Sequence, residues 1–273
     1  MTANPVRHPA VAGRFYPQDP EILREHVLLY LSQNPSKEKL RALGCIAPHA
    51  GYVYSGPVAG AVFSALEIPE VCVVMCPNHT GMGRPLAIMS EGSWETPLGK
   101  IPIDGDLAAA LKARCSLLQE DSTAHRSEHA VEVELPFLQA RQRNLKIVPI
   151  ALGTGRFETL EELGVALADV IAAQSRLVLM IASSDMNHYE SDAVTRIKDR
   201  SAIEPILRLD ARGLYETVTT QQVSMCGYGP AIAMLTAAKK LGATSARLVK
   251  YATSGDISGD TETVVGYAGI MVA

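Results

Sequence analysis

VCVVMCPNHTG (residues 71–81) runs six apolar residues into Pro77, Asn78 and His79 before it closes on Thr80 and Gly81. Such a run is strand length, and apolar side chains at every position, not every second one, mark a strand buried on both faces. Strands of that kind belong to sheets covered by helices on each side, so the stretch points to an α/β fold. Pro, Asn and Gly suffice for the turn that follows. The histidine is not needed for it.

Three other runs share the pattern: GCIAP (44–48), KIVPIAL (146–152) and LVLMIAS (177–183). Helical periodicity lies between them. PVAGAVFSALEI (57–68) puts Pro57 in a first turn, and EHAVEVELPFLQARQR (128–143) spaces Val131, Leu135 and Leu138 on one face, with Pro136 dividing it. The alternation predicts a central, mostly parallel sheet flanked by helices, joined by right-handed crossovers. Residues 190–241 read as mostly helical, ARLVKYATS (246–254) and VVGYAGIMV (264–272) as an antiparallel pair, and PLAIMS (85–90) with LGKIPID (98–104) as a hairpin. With no low-complexity linker and no repeat, the reading is one α/β domain over residues 1–273, both ends contributing to the same sheet.

The 273 residues are 47% hydrophobic and 20% charged, enough apolar surface for a large core. A net charge of −4 and the lack of any Lys/Arg run argue against a nucleic-acid partner. The opening MTANPVRHPAVAGRFYP (1–17) has no basic start followed by an apolar stretch, and nothing there approaches the roughly 20 apolar residues of a membrane span. No membrane partner and a cytoplasmic location are expected. Cys45, Cys72, Cys76, Cys115 and Cys226 are an odd number in a large chain, which reads as thiols, one of them a ligand or nucleophile.

Three of the strands end in polar residues that a turn does not require: His49 in APH, His79 in CPNH, and Ser183, Ser184, Asp185 and His188 in SSDMNH. In open α/β sheets ligands bind outside the carboxyl ends of the strands, so these residues are candidates for one crevice. His8, His26 and His125 lack that context and receive no role. In VSMCGYGPAIAML (223–235), Cys226 precedes a helix whose positive N-terminus favours thiolate, and Gly227 and Gly229 allow close approach to a ligand. The in-strand cysteines Cys45, Cys72 and Cys76 read as packing residues. Two imidazoles and a thiolate suit iron, copper or zinc, and Asp185 is a carboxylate able to join or orient the set. In HRSEHAVEVE (125–134), Glu128, His129, Glu132 and Glu134 read first as an acidic first turn complementing a helix dipole, with His129 as a pocket wall. The metal-pair alternative would put His129 and Glu132 on one helical face.

IAPHAGYVYSG (46–56), CPNHTG (76–81), EHAVEVELPFL (128–138), SSDMNHY (183–189) and MCGYGP (225–230) stand in the order found in the Memo family, whose prokaryotic members are called AmmeMemoRadiSam system protein B. The resemblance runs from HPAVAGRFYP (8–17) to the last strand. It implies a fold similar to the LigB-type, class III extradiol dioxygenases, with a metal pocket at the strand ends. By motif it makes His49, His79 and Cys226 the metal residues, iron being the first expectation and copper or zinc the alternatives. Asp185 and His188 line the pocket as catalytic candidates, His188 standing where those dioxygenases have an acid/base histidine. Phe15 stands where the family can have Trp, and Tyr54 is a further wall candidate. Where the dioxygenases add a Glu to two His, this chain offers Cys226, an oxidisable donor.

Three functions follow as expectations. The first is a metal-dependent, dioxygenase-like redox enzyme acting on a small oxygen-bearing molecule, with His188 moving a proton. The second is a non-catalytic metal- or ligand-binding module that, as the system name implies, partners a radical-SAM protein and an AMMECR-type protein. The third is a hydrolase with Cys226 as nucleophile, His188 as base and Asp185 as orienting group.

Overall fold

Val71, Val73 and Met75 face one hydrophobic cluster and Cys72, Val74 and Cys76 face another, as a period of two requires in a strand covered on both sides. The computed structural model describes residues 5–33 and 39–273. At its centre the strands Gly44–Ala47, Val178–Ser183, Val71–Pro77 and Lys146–Leu152 lie side by side in that order, all parallel. One face packs on Phe157–Ala172 and Tyr228–Lys240 through Leu160, Leu163, Ile232 and Leu235. The other packs on Pro20–Ser32 and Tyr52–Ala65 through Leu23, Val27, Val62 and Phe63. Cys45, Cys72 and Cys76 are buried free thiols on this second face, so they fill the sheet as expected.

The margins of the sheet are antiparallel, which makes it mixed. Val264–Val272 runs against Gly44–Ala47 and carries Ala246–Thr253 outside it, the closing pair read from the sequence. Leu86–Ile88 runs against Lys146–Leu152 on the opposite side. The parallel character that the apolar runs predicted holds across the four central strands and returns at the far edge, where Gln119–Glu120 pairs in parallel with Leu86–Ile88.

Four expectations need correction. Gly99–Pro102 pairs with Ser93–Thr96, not with residues 85–90, in a separate three-stranded sheet that includes Val6–Arg7. The turn between Thr96 and Gly99 closes on the nearest strand, whose alternation of buried Trp94 and Thr96 with half-exposed Ser93 and Glu95 is masked by its polar residues. The first strand of the chain pairs with Ser93–Trp94 and so lies outside the large sheet, against the expectation that both ends contribute to one sheet. The helix expected from Pro57 begins at Tyr52 with Gly51 as N-cap, leaving Pro57 inside it. An interior proline costs about 3 kcal/mol, and burial of Val58, Val62 and Phe63 on the sheet offsets that. Residues 128–131 are not helical: a 3₁₀ turn, Glu132–Glu134, precedes the helix Leu135–Arg141, which carries Pro136 in its first turn. The division at Pro136 is as expected, with the break a few residues earlier. Among the described residues no helix is long and apolar enough to cross a membrane.

Candidate functional site

Because the four central strands are parallel, the segments after Ala47, Pro77 and Ser183 emerge along the same edge of the sheet. There His49, His79, Asp185 and His188 line one cleft of about 600 Å³. Cys226 closes it from the loop before the helix Tyr228–Lys240. Gly227 is required by the fold: a Cβ there would come within 2.3 Å of the Ser183 carbonyl oxygen, and the Gly227 N–H donates to Ser184 Oγ. The close approach is thus to the strand end, which sets Cys226 against Asp185.

The turn that carries His79 is built by Asn78, whose Oδ1 accepts from the N–H groups of Thr80 and Gly81 at 3.1 Å each. Buried Glu128 then fixes the imidazole, accepting from the His79 backbone N–H at 2.6 Å and standing 2.9 Å from Nδ1. A carboxylate only accepts, so Nδ1 carries the proton and Nε2 presents a lone pair to the cleft. Burial works against the charged imidazolium of His79, but Glu128 outweighs it and raises the pKa.

His49 is held through a chain of single protons. Its Nδ1 is 2.8 Å from Ser183 Oγ, and that hydroxyl donates to the Ala130 carbonyl at 2.7 Å, an acceptor only. Ser183 therefore accepts from His49 Nδ1–H, which frees Nε2. The third neighbour of Ser183 is Glu134 Oε1 at 2.8 Å. Burial pushes the Glu134 pKa well up and the Asp185 charge adds to this, against the contact with the Ser183 hydroxyl, so the carboxyl is held toward its protonated form.

His129 completes the group. One ligating atom from each of His49, His79 and His129 lies within 4.8 Å of the others. Its ring stacks on His79 at 4.7 Å between centroids, and Phe15, which lines the cleft, packs on it at 4.7 Å. Burial takes His129 down to about 4 and, with the neighbouring imidazoles, takes His49 well below its ordinary value. His129 is thus a member of the histidine cluster as well as the wall residue inferred from sequence.

Cys226 Sγ is 3.3 Å from His49 Nε2, and the Asp185 N–H points to it at 3.3 Å. Burial and the Asp185 charge push the thiol's pKa up, so the helix terminus does not by itself make a thiolate here, contrary to the expectation. The Asp185 carboxylate accepts from the N–H groups of His49 and Ala50 at 2.8 and 3.3 Å and thereby fixes the His49 loop. Burial raises this carboxyl to about 7. His188 Nδ1 is 2.9 Å from the Ser224 carbonyl, which leaves Nε2 as an acceptor, and burial lowers its pKa. These hydrogen bonds leave Asp185 and His188 unconnected, so the relay expected for a Cys226 hydrolase does not form.

Tyr54 is exposed and does not line the cleft, a correction to its assignment as a wall. The acidic residues of 128–134 are not a solvent-facing first turn: Glu128, Glu132 and Glu134 are fully buried. Nor do His129 and Glu132 form a metal pair. Glu132 instead anchors the N-terminal segment, pairing with Arg7 and accepting from the N–H groups of Ala10 and Val11 and from Tyr16 Oη. The roles of Ser183, Ser224, Glu128 and Glu134 were missed as such. The available signal was three carboxylates in a stretch, residues 127–140, that has no Lys or Arg, a pattern that burial, not solvation, explains.

Comparison with known proteins supports one lineage. The family described as Memo-like protein matches residues 7–271. A MEMO1 family protein of Methanopyrus kandleri is 43% identical over 277 residues, covering 97% of this chain and 98% of that one. One of Methanosarcina barkeri is 45% identical over 268 residues, covering 98% and 100%. Among solved structures, the uncharacterized protein JW3007 from Escherichia coli K12 aligns with a TM-score of 0.52 at 13% identity, over 84% of this chain and 98% of that one. That likeness concerns the fold.

Proposed function

The chain belongs to the Memo family, and on that premise we propose that its cleft is the metal centre of a redox enzyme acting on a small oxygen-bearing molecule. The carrying observation is the approach of His49, His79 and His129 within 4.8 Å, with no Lys or Arg on the lining of the cleft. The donor set fits a first-row metal. His49 and His79 hold their Nε2 lone pairs toward the cleft because Ser183 and Glu128 occupy their Nδ1 atoms, and Cys226 Sγ lies beside His49. His49, His79 and Cys226 would hold the ion, with His129 as the further imidazole in reach. Iron is the metal we favour, ahead of copper or zinc, and it would supply Lewis acidity and one-electron chemistry.

The chain's own residues supply positioning and proton transfer. His188 is neutral near pH 7 and offers Nε2 as base, its ring fixed by Ser224. Asp185 keeps His49 in place through two backbone N–H groups. Phe15 and His129 pack ring against ring and form an aromatic wall on one side of the cleft. We also place the protein in the cytoplasm, with its five thiols unpaired, and regard a radical-SAM protein and an AMMECR-type protein as its working partners.

Metal analysis of protein purified from its own source tests the centre. Stoichiometric iron, copper or zinc is expected, lost in His79→Ala and reduced in Cys226→Ala; protein without metal under reducing conditions overturns the reading. For the reaction, the iron-loaded protein is mixed anaerobically with a panel of catechols and then given oxygen. Absence of any ring-opened product removes the dioxygenase form.

A further inference from the structure

Tyr189 follows His188 directly and lines the same cleft, yet it is 75% exposed. Its backbone lies at φ +62°, in the left-handed region that tyrosine rarely adopts. The cause is a bulge: His188 pairs with Val265 and Glu190 with Val264, leaving Tyr189 without a partner on Val264–Val272. Such a position is normally given to glycine or asparagine, which meet the conformation at little cost.

Packing does not explain the tyrosine. Leu209 is also left-handed, at φ +56°, but it is buried and joins the core in return. Tyr189 makes no such contact; its ring stands 5.6 Å from that of His188, edge to face. Strain retained at a cleft without a gain in burial points to function. Two further aromatic faces, Phe15 and His129, line the same cleft, whose volume of about 600 Å³ has room for a ring with a substituent.

We propose that Tyr189 is a specificity-determining residue: held over the cleft by the bulge, its ring packs on the face of a planar, ring-bearing small molecule anchored at the metal. The proposal rests on the metal-centre reading, and the test separates the two. Zinc-loaded protein is titrated calorimetrically with acetohydroxamate, benzohydroxamate and cyclohexanecarbohydroxamate, which share a chelating head and differ in the attached group. Benzohydroxamate is expected to bind about three- to tenfold more tightly than its saturated analogue. Tyr189→Ala brings that ratio near one, Tyr189→Phe keeps it, and acetohydroxamate binds all three proteins alike.

Tyr189→Gly is expected to raise the midpoint of thermal unfolding while losing the same preference, which separates fold from ligand contact. An unchanged ratio in Tyr189→Ala overturns the role of Tyr189 and leaves the metal centre standing. Failure of acetohydroxamate to bind the wild-type chain overturns the metal reading and this proposal with it.

Discussion

Glu128 and Glu134 are six residues apart and both fully buried, yet their surroundings give them opposite charge states. Burial raises both, but for Glu128 the His79 and Ala130 N–H contacts win and the pKa falls, whereas the Glu134 carboxyl meets only Ser183 among the described residues and Asp185 adds repulsion. Glu128→Gln should therefore weaken metal binding by about 10- to 100-fold, the usual effect of losing a carboxylate behind a ligating imidazole. Competition against a chromophoric chelator measures this. Glu134 should show the infrared carbonyl band of a protonated carboxylic acid at a pH where an ordinary Glu is ionised; Glu134→Gln removes that band, and a spectrum that does not change refutes the proton assignment. His49, His79, Asp185 and Cys226 were legible in the sequence because each follows or faces an apolar strand end. Glu128 and Glu134 were not, since a carboxylate's meaning depends on what is folded against it. Here those partners come from His79, 49 residues away, and Ser183, also 49 away.

Segments are held by single side chains as much as by pairing, and the N-terminal one is the clearest case. Strand Val6–Arg7 makes a short parallel pairing with Ser93–Trp94, while Arg7 reaches the carbonyls of His125 and Glu128 and the carboxylate of Glu132. The same carboxylate accepts from the backbone of Ala10 and Val11, so one residue fixes the loop that brings Phe15 to His129. Removing one partner of a buried pair costs about 3–5 kcal/mol, and Glu132→Ala should destabilise by that amount, with faster proteolysis within residues 8–16. Joint replacement, Arg7→Met with Glu132→Leu, should not recover the loss, because the N–H groups of Ala10 and Val11 are left without an acceptor. Denaturant unfolding of the single and double variants distinguishes this from a simple ion pair, which such a replacement would restore. The central strands were readable because burial on both faces writes a continuous apolar run; Lys146–Leu152 agrees with its sequence reading from end to end. Ser93–Thr96 was not, since its polar face hides the alternation, and Pro57 misplaced a helix start because tertiary packing overrode a local preference.

At the scale of the whole molecule, stability should depend on pH through Asp199, where three elements meet. It sits on the helix Asp192–Leu207, accepts from Tyr251 Oη of Ala246–Thr253 at 2.7 Å, and lies so close to Gly266 of Val264–Val272 that a Cβ there would meet its Oδ2 at 1.8 Å. It also accepts from the Asn187 N–H at 2.8 Å, which ties this junction to the His188 segment. Burial raises its pKa to about 6, against the partial relief of those hydrogen bonds. A carboxyl raised on folding favours the folded state below its unfolded pKa of about 4, and this contribution is lost as pH rises through the folded value. The ionised form above that point costs about 1–3 kcal/mol. Asp104 works in the opposite sense: burial raises it, but Arg176 and the Leu107 N–H outweigh this, so its contribution is present near neutrality and lost in acid. Asp199→Asn keeps an acceptor for Asn187 and places an amide against the Tyr251 oxygen. The variant should therefore unfold at a higher temperature than the parent at about pH 8 and show little gain at about pH 4, where Asp199 is mostly protonated in the folded parent. An equal shift at both pH values would mean that shape, not charge, governs this junction.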